Sequence, residues 1–144
     1  MASQVIVVGG GPAGMFSAIT AAQCGCKVRL IEKNDQLGKK LAITGKGRCN
    51  LTNDCSADEV LAQIPRNAKF LYSAMRAFPP EKTMEFFRSH GCPLKTERGR
   101  RVFPESDRAQ DVVDTLRTAL RREGVKVDKW HPSIRTDEHA PYRR

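Results

Sequence analysis

The sequence predicts an α/β domain built on a parallel sheet, and three observations near its start carry that expectation. Gln4-Val-Ile-Val-Val8 is an uninterrupted apolar run, rich in β-branched residues, that stops at a glycine. This is the pattern of a strand buried on both faces. Gly9-x-Gly11-x-x-Gly14 follows at once and opens a helical pattern. Cys26 to Glu32 then alternates Val28 and Leu30 with Lys27 and Arg29, which reads as a second strand. Strand, helix and strand in that order form a right-handed crossover unit.

The helix is expected over residues 12–24. Met15, Ile19 and Ala22 recur at helical spacing with Ala18 alongside. Pro12 is tolerated in a first turn and Gly25 supplies the stop. Residues 33–56 show no period and are punctuated by Gly38, Gly45 and Gly47 among Lys39, Lys40, Lys46 and Arg48. A loop of that length inside a compact domain is usually functional or disordered. Short helices are expected at about 58–64, 67–78 and 80–90, the last two separated by Pro79 and Pro80. Leu94 to Phe103 predicts two short strands around a turn at Arg98-Gly99. Residues 107–123 form the clearest amphipathic helix, with Ala109, Val112, Val113, Leu116 and Leu120 on one face. Gly124 ends it, and Val125-Lys-Val127 is expected to be a third strand. After residue 128 the apolar patterning fades among charges, prolines and histidines.

Composition excludes several classes. The 144 residues are 40% hydrophobic and 28% charged, ordinary globular usage and unlike disordered, collagenous or disulfide-scaffold chains. No apolar run approaches the roughly 20 residues that cross a bilayer. The N-terminus lacks a basic n-region and an Ala-x-Ala site, so a cytoplasmic location is expected. The net charge of +9 suits a polyanionic or phosphate-bearing ligand. The basic residues are spread out, however, and aromatics are only 6%. The stacking platform for single-stranded nucleic acid is therefore thin, and neither nucleic acid nor membrane is expected as a partner. Five cysteines, an odd number without a Cys-x-x-Cys pair, fit a reduced compartment. Cys24-x-Cys26 and His90-x-Cys92 lack the spacing of structural zinc ligands, so no metal site is expected.

The glycine unit carries the chemistry. Gly9 permits a tight turn, and Gly11 lets backbone N–H groups approach a pyrophosphate. Gly14 lets the helix pack close to the sheet. Pro12 and Ala13 open the helix, whose N-terminus offers orphan N–H donors and a partial positive charge. Glu32 closes the second strand, where a carboxylate accepts hydrogen bonds from adenosine ribose hydroxyls and repels a 2′-phosphate. Lys33 stands beside it. The expected fold is therefore Rossmann-like, binding FAD or NAD in preference to NADP, and the chemistry of the unit leaves that choice open.

The stretch Leu37-Gly-Lys-Lys-Leu-Ala-Ile-Thr-Gly-Lys-Gly-Arg-Cys-Asn-Leu-Thr-Asn53 resembles the signature of the BaiN-type NAD(P)/FAD-dependent oxidoreductases. These are also labelled aminoacetone oxidase-like FAD-binding enzymes. Its specific core is Gly45-Lys-Gly-Arg-Cys-Asn-Leu-Thr-Asn53. A second similar stretch is Gly99-Arg-Arg-Val-Phe-Pro104, followed by Ser106, Ala109 and Val112–Val113. The family usually has serine where this chain has Thr44, a change that keeps the hydroxyl. The resemblance implies FAD along Gly9–Gly14, with Glu32 on the ribose. It implies that Lys40 and the loop Thr44, Gly45, Gly47, Arg48, Cys49 and Asn50 wrap the rest of the cofactor, with NAD(P)H as reductant. Arg48 suits a pyrophosphate or reduced flavin anion. Cys49 has no paired cysteine and is expected to be structural.

Family members are longer and continue past the region matching residue 127. The expectation is a partial FAD-binding Rossmann-like domain over 1–128, an incomplete sheet, and an atypical disordered tail over 129–144. A truncated or frameshifted coding sequence, or a fragment, fits that pattern. A sheet of three strands also leaves an edge and a face uncovered. The primary functional reading is the FAD-binding portion of a flavin-dependent oxidoreductase acting on a small molecule, with no catalytic side chain, substrate or oligomeric state assigned. The alternatives are a non-catalytic dinucleotide-binding remnant and a basic nucleic-acid binder. The last leaves Glu32 and the glycine unit without a role.

Overall fold

The computed structural model describes residues 3–129. They fall into two compact units, one formed by residues 3–37 and 120–129, the other by Gly38–Ala119. One boundary, between Ala119 and Leu120, falls inside the helix Ala109–Arg122, and the other follows Leu37.

The first unit is the predicted crossover. Strand β1 (Gln4–Val8), helix α1 (Pro12–Gln23) and strand β2 (Lys27–Glu32) follow in order. Strand β6 (Lys126–Lys129) completes a three-stranded parallel sheet of order β1-β2-β6. In register, Val7 lies opposite Leu30, and Leu30 opposite Val127. Pro12 opens α1, and Gly25, at φ +83°, ends it with its N–H donated to the Ala22 carbonyl at 2.8 Å. Met15, Ala18 and Ile19 of α1 are buried, as are Val28 and Leu30 of β2. At about 25 cal/mol per Å2, burial of such side chains supplies most of what holds the layer together.

One expectation needs correction. The β1 run is not buried on both faces: Ile6 is 63% and Val8 80% exposed, while Val5 and Val7 are half-buried. The reason is topological. β1 is the edge of the sheet, and α1 shields the Val7 side, where a Cβ on Gly14 would stand 3.5 Å from Val7 Cγ1. Among the described residues nothing shields Ile6 and Val8.

The second unit holds the remaining elements. They are β3 (Thr52–Asn53), α2 (Ala57–Ala62), α3 (Tyr72–Ala77), α4 (Pro80–Ser89), β4 (Leu94–Glu97), β5 (Arg101–Pro104) and most of α5 (Ala109–Arg122). The predicted hairpin is present, with Gly99 at φ +77° in its turn, and β3 joins it to give an antiparallel sheet of order β3-β5-β4. Cys49, Phe87, Cys92, Val102, Phe103, Val112, Val113 and Leu116 are buried in this unit. The helix expected over 67–78 is a 3-10 turn at Ala68–Leu71 followed by α3, and Asn67, with a left-handed φ of 57° that an α-helix does not accept, stands outside both. The loop expected over 33–56 contains 3-10 turns through Leu41–Gly47, broken at Thr44, Gly45 and Lys46. The third strand runs two residues further than expected, so Lys129, assigned by sequence to the tail, ends β6. The rest of that expected tail, residues 130–144, lies outside the described residues.

Candidate functional site

The predicted site residues fall into two groups, one in each unit. In the first, Gly9 and Gly11 lie in the turn between β1 and α1, Pro12, Ala13 and Gly14 open α1, Glu32 ends β2 and Lys33 follows it. A cavity of about 430 Å3 opens at these strand ends, lined by Val8, Gly9, Ile31, Glu32, Lys33 and Asn34. That is the crevice where open parallel sheets bind their ligands.

Each glycine has its own reason to be there. Gly9 has φ +107°, which L side chains rarely adopt. A Cβ on Gly14 would lie 1.9 Å from the Gly9 carbonyl oxygen, so the helix is seated directly on the turn. A Cβ on Gly11 would meet nothing within 4 Å. Gly11 is thus open toward its surroundings, and it is the N-cap of α1. That cap has no side-chain hydrogen bond, and the first turn has no acidic residue. The Gly9 and Gly10 N–H groups are taken by the Ile31 carbonyl and Glu32, whereas the N–H groups of the first helical turn have no intrahelical acceptor, and the helix dipole there favours an anion.

Glu32 is only 9% exposed. Its Oε2 accepts the Gly10 N–H at 2.5 Å, and its Oε1 accepts the Asn34 backbone N–H at 2.8 Å and the Asn34 side-chain amide at 2.5 Å. The Asn34 backbone N–H is the main cause holding the Glu32 carboxyl below its ordinary range; burial opposes it, and the Gly10 N–H adds to it. Glu32 is therefore a carboxylate at neutral pH. Both of its oxygens are engaged within the chain.

Gly10 and Asn34 were not among the residues singled out from sequence. A Cβ on Gly10 would stand 2.3 Å from Leu37 Cδ2 and 3.0 Å from Glu32 Oε2, so Gly10 keeps the turn within reach of the carboxylate. The run Gly9-Gly10-Gly11 was the available signal; spacing rules that count only three glycines pass over its middle member.

The second group occupies the second unit. Lys40 is exposed and precedes the 3-10 turns, and exposed Thr44 donates its hydroxyl to the Leu41 carbonyl at 2.7 Å. Gly45 and Gly47 have φ of 57° and 85°. Asn50 is exposed. Arg48 is paired with Glu97 and Asp107, and these hydrogen bonds, Glu97 first, hold its guanidinium even more firmly protonated than usual. Cys49 is fully buried. Burial raises its thiol pKa, against a hydrogen bond with Thr44. Lys46 and Arg48, its basic neighbours in sequence, are not among the causes of that shift. All five cysteines are free thiols, and among the described residues no cluster suited to a metal is found. No helix among them is long and apolar enough to cross a membrane.

The comparisons with known proteins agree with this geometry. The family model described as HI0933-like protein Rossmann domain matches residues 3–140. The chain is 35% identical over 127 residues to the 3-dehydro-bile acid delta(4,6)-reductase of Clostridium scindens, covering 87% of this chain and 30% of that protein. It is 34% identical over 111 residues to the ribosomal RNA dihydrouridine synthase of Escherichia coli K12, covering 77% of this chain and 27% of the relative. The chain thus spans about 30% of the length of the curated relatives it matches. Among solved structures it resembles the 3-ketosteroid-delta4-(5alpha)-dehydrogenase of Rhodococcus jostii RHA1, with a TM-score of 0.63 at 15% identity over 88% of this chain and 38% of that one. It also resembles the Thermovibrio ammonificans protein THI4, with a TM-score of 0.56 at 15% identity over 89% of this chain and 38% of that one. The strand order and the glycine turn agree with the family match, and the chain belongs to the HI0933-like family, over that family's Rossmann domain.

Proposed function

We propose that this chain binds FAD and serves as the cofactor-holding part of a flavin-dependent oxidoreductase. The observation that carries the proposal is the uncapped N-terminus of α1, reached through Gly9-Gly10-Gly11, beside a buried and ionised Glu32. The amides at Gly11 and after it hold the pyrophosphate, with no side chain in the approach. Glu32 accepts the adenosine ribose hydroxyls, and its negative charge rejects a 2′-phosphate at that position. Lys33, exposed at the rim of the same cavity, adds positive charge near the adenosine end. Lys40, Thr44, Gly45, Gly47, Arg48, Cys49 and Asn50 enter the proposal through the family pattern. Bound FAD supplies the redox-active ring, and the chain's part is to bind and orient it. NAD(P)H is the proposed electron donor.

The names of the two relatives, a delta(4,6)-reductase and a dihydrouridine synthase, both describe reduction of a ring carbon–carbon double bond. That reaction class is the one extended here. The test is a visible absorption spectrum of the purified chain with and without FAD, followed by gel filtration. A flavin band that travels with the protein is the expected result. A colourless protein after the column, at FAD concentrations well above micromolar, would refute cofactor binding by this chain.

A further inference from the structure

Arg48 is held on three sides, all within the second unit. Its Nε donates to Asp107 Oδ1 at 2.8 Å, and its Nη2 donates to Glu97 Oε1 at 2.5 Å. The guanidinium carbon stands 4.3 Å from the centre of the Phe103 ring, and Phe103 is buried. Lys95 Nζ reaches the second oxygen of Asp107 at 2.6 Å. Two cations thus meet two carboxylates, and the cluster is neutral as a whole. A guanidinium shared this way has little charge left to offer a third anion.

The backbone around Arg48 is unusual. The Arg48 N–H donates to the Gly45 carbonyl at 3.2 Å and the Cys49 N–H to the Thr44 carbonyl at 3.0 Å. Between and beside these bonds, Gly45, Lys46, Gly47 and Cys49 have φ of 57°, 57°, 85° and 61°. Two of the four carry side chains, for which the left-handed region is unfavourable. Such a conformation persists only where its surroundings over-determine it. On one side of the loop the buried Cys49 side chain anchors it; the Arg48 side chain does so on the other.

We propose that Arg48 is the clamp that holds the Gly45–Asn50 loop in its left-handed conformation, with Glu97 and Asp107 as positioning residues acting through it, and that it is not the cation facing a cofactor phosphate. The clamp is a property of the chain itself. Only its consequence for FAD rests on the reading of this loop as a cofactor segment. Lysine cannot replace arginine here, because one ammonium lacks the planar fork that spans two carboxylates and the face that stacks on Phe103.

The two possible roles of Arg48 give opposite signs. If Arg48 faces a phosphate, Glu97→Gln and Asp107→Asn release it from competing carboxylates, and FAD binds more tightly. If Arg48 is the clamp, the same variants loosen the loop, and FAD binds more weakly. The test uses the full 144-residue chain. Amide hydrogen exchange at Arg48 and Cys49 is measured without FAD, and FAD affinity by flavin fluorescence, for E97Q, D107N, R48K and the double variant R48K/E97Q. The expected result is exchange roughly fivefold to tenfold faster in each single variant and FAD affinity roughly fivefold weaker, the scale of a partly exposed ion-pair network. The double variant is expected to be no worse than R48K alone, since both changes open one clamp. Unchanged exchange in both E97Q and D107N would overturn the clamp, as would tighter FAD binding in either. Faster exchange with unaltered FAD affinity would uphold the clamp and overturn the cofactor role of the loop.

Discussion

The glycines of the β1–α1 turn allow stability and ligand binding to be separated by single methyl groups. In Gly14→Ala the new Cβ stands 1.9 Å from the Gly9 carbonyl oxygen, far inside contact distance, and the atom it meets is backbone. Nothing can swing aside, so the helix must lift from the turn that seats Met15, Ala18 and Ile19, all of which are buried. Overpacking of this kind costs about 1–3 kcal/mol, and a rigid partner puts it at the upper end. Alanine recovers about 1 kcal/mol as the better helix former. The net loss is about 2 kcal/mol, or a urea midpoint lowered by roughly 1 M. Gly11→Ala is the control. Its Cβ meets nothing within 4 Å and its φ of −76° and ψ of 178° suit any residue. A weaker N-cap and a stiffer unfolded chain nearly cancel, leaving stability within about 0.5 kcal/mol of the parent. In the proposed FAD site the same methyl stands in the path of the pyrophosphate, so FAD affinity is expected to fall by roughly tenfold or more, the worth of one charge-assisted hydrogen bond. Urea unfolding followed by circular dichroism, with an FAD titration on the same samples, reads both effects. A Gly14→Ala chain as stable as the parent would refute the seating of α1 on the turn. Undiminished FAD binding by Gly11→Ala would refute the phosphate approach.

Two further outcomes are expected. Because Glu32 is held below its ordinary pKa of 4.5, its folded-state bonds contribute stability that is complete above that value and is lost as pH falls through the lower, folded-state pKa. The stability advantage of the parent over Glu32→Gln should therefore shrink below about pH 4.5, measured by urea midpoints from pH 7 to pH 3; a constant difference across that range contradicts the assigned hydrogen bonds. Thiol-reagent kinetics at pH 8 should show Cys24, which is exposed, reacting in the native chain, and Cys49 and Cys92, which are buried with raised pKa values, reacting only on unfolding. Rapid native labelling of Cys49 would count against its burial.

Local patterns made most of the fold readable. The valine-rich run ending at Gly9, the alternation before Glu32 and the helical stripe from Ala109 to Leu120 each belong to one element, and each element appears within a few residues of its expected place. What could not be read was set by partners distant in sequence. The exposure of Ile6 and Val8 depends on which layers cover β1, which its own residues do not encode. The partners of Arg48 lie 49 and 59 residues away, so in sequence it stood as a free cation in a basic loop. Gly10 became visible only when its N–H was seen on Glu32, 22 residues on. The tight turn at Asn67 likewise follows from a left-handed backbone that helical periodicity does not register.

Among the described residues β1 pairs on one side only, with β2, and that edge is expected to govern how copies of this chain associate. Gln4 to Val8 carries no charge, and an edge strand without lysine, proline or a bulge is a template for pairing with further copies. What holds copies apart in dilute buffer is long-range repulsion from a net charge of +9. Raising ionic strength shortens the reach of that repulsion to about 8 Å at physiological salt and about 3 Å at 1 M, while leaving the apolar edge as adhesive as before. High salt, ordinarily chosen to strip bound nucleic acid from a basic protein, is for this chain the condition expected to favour edge-to-edge association.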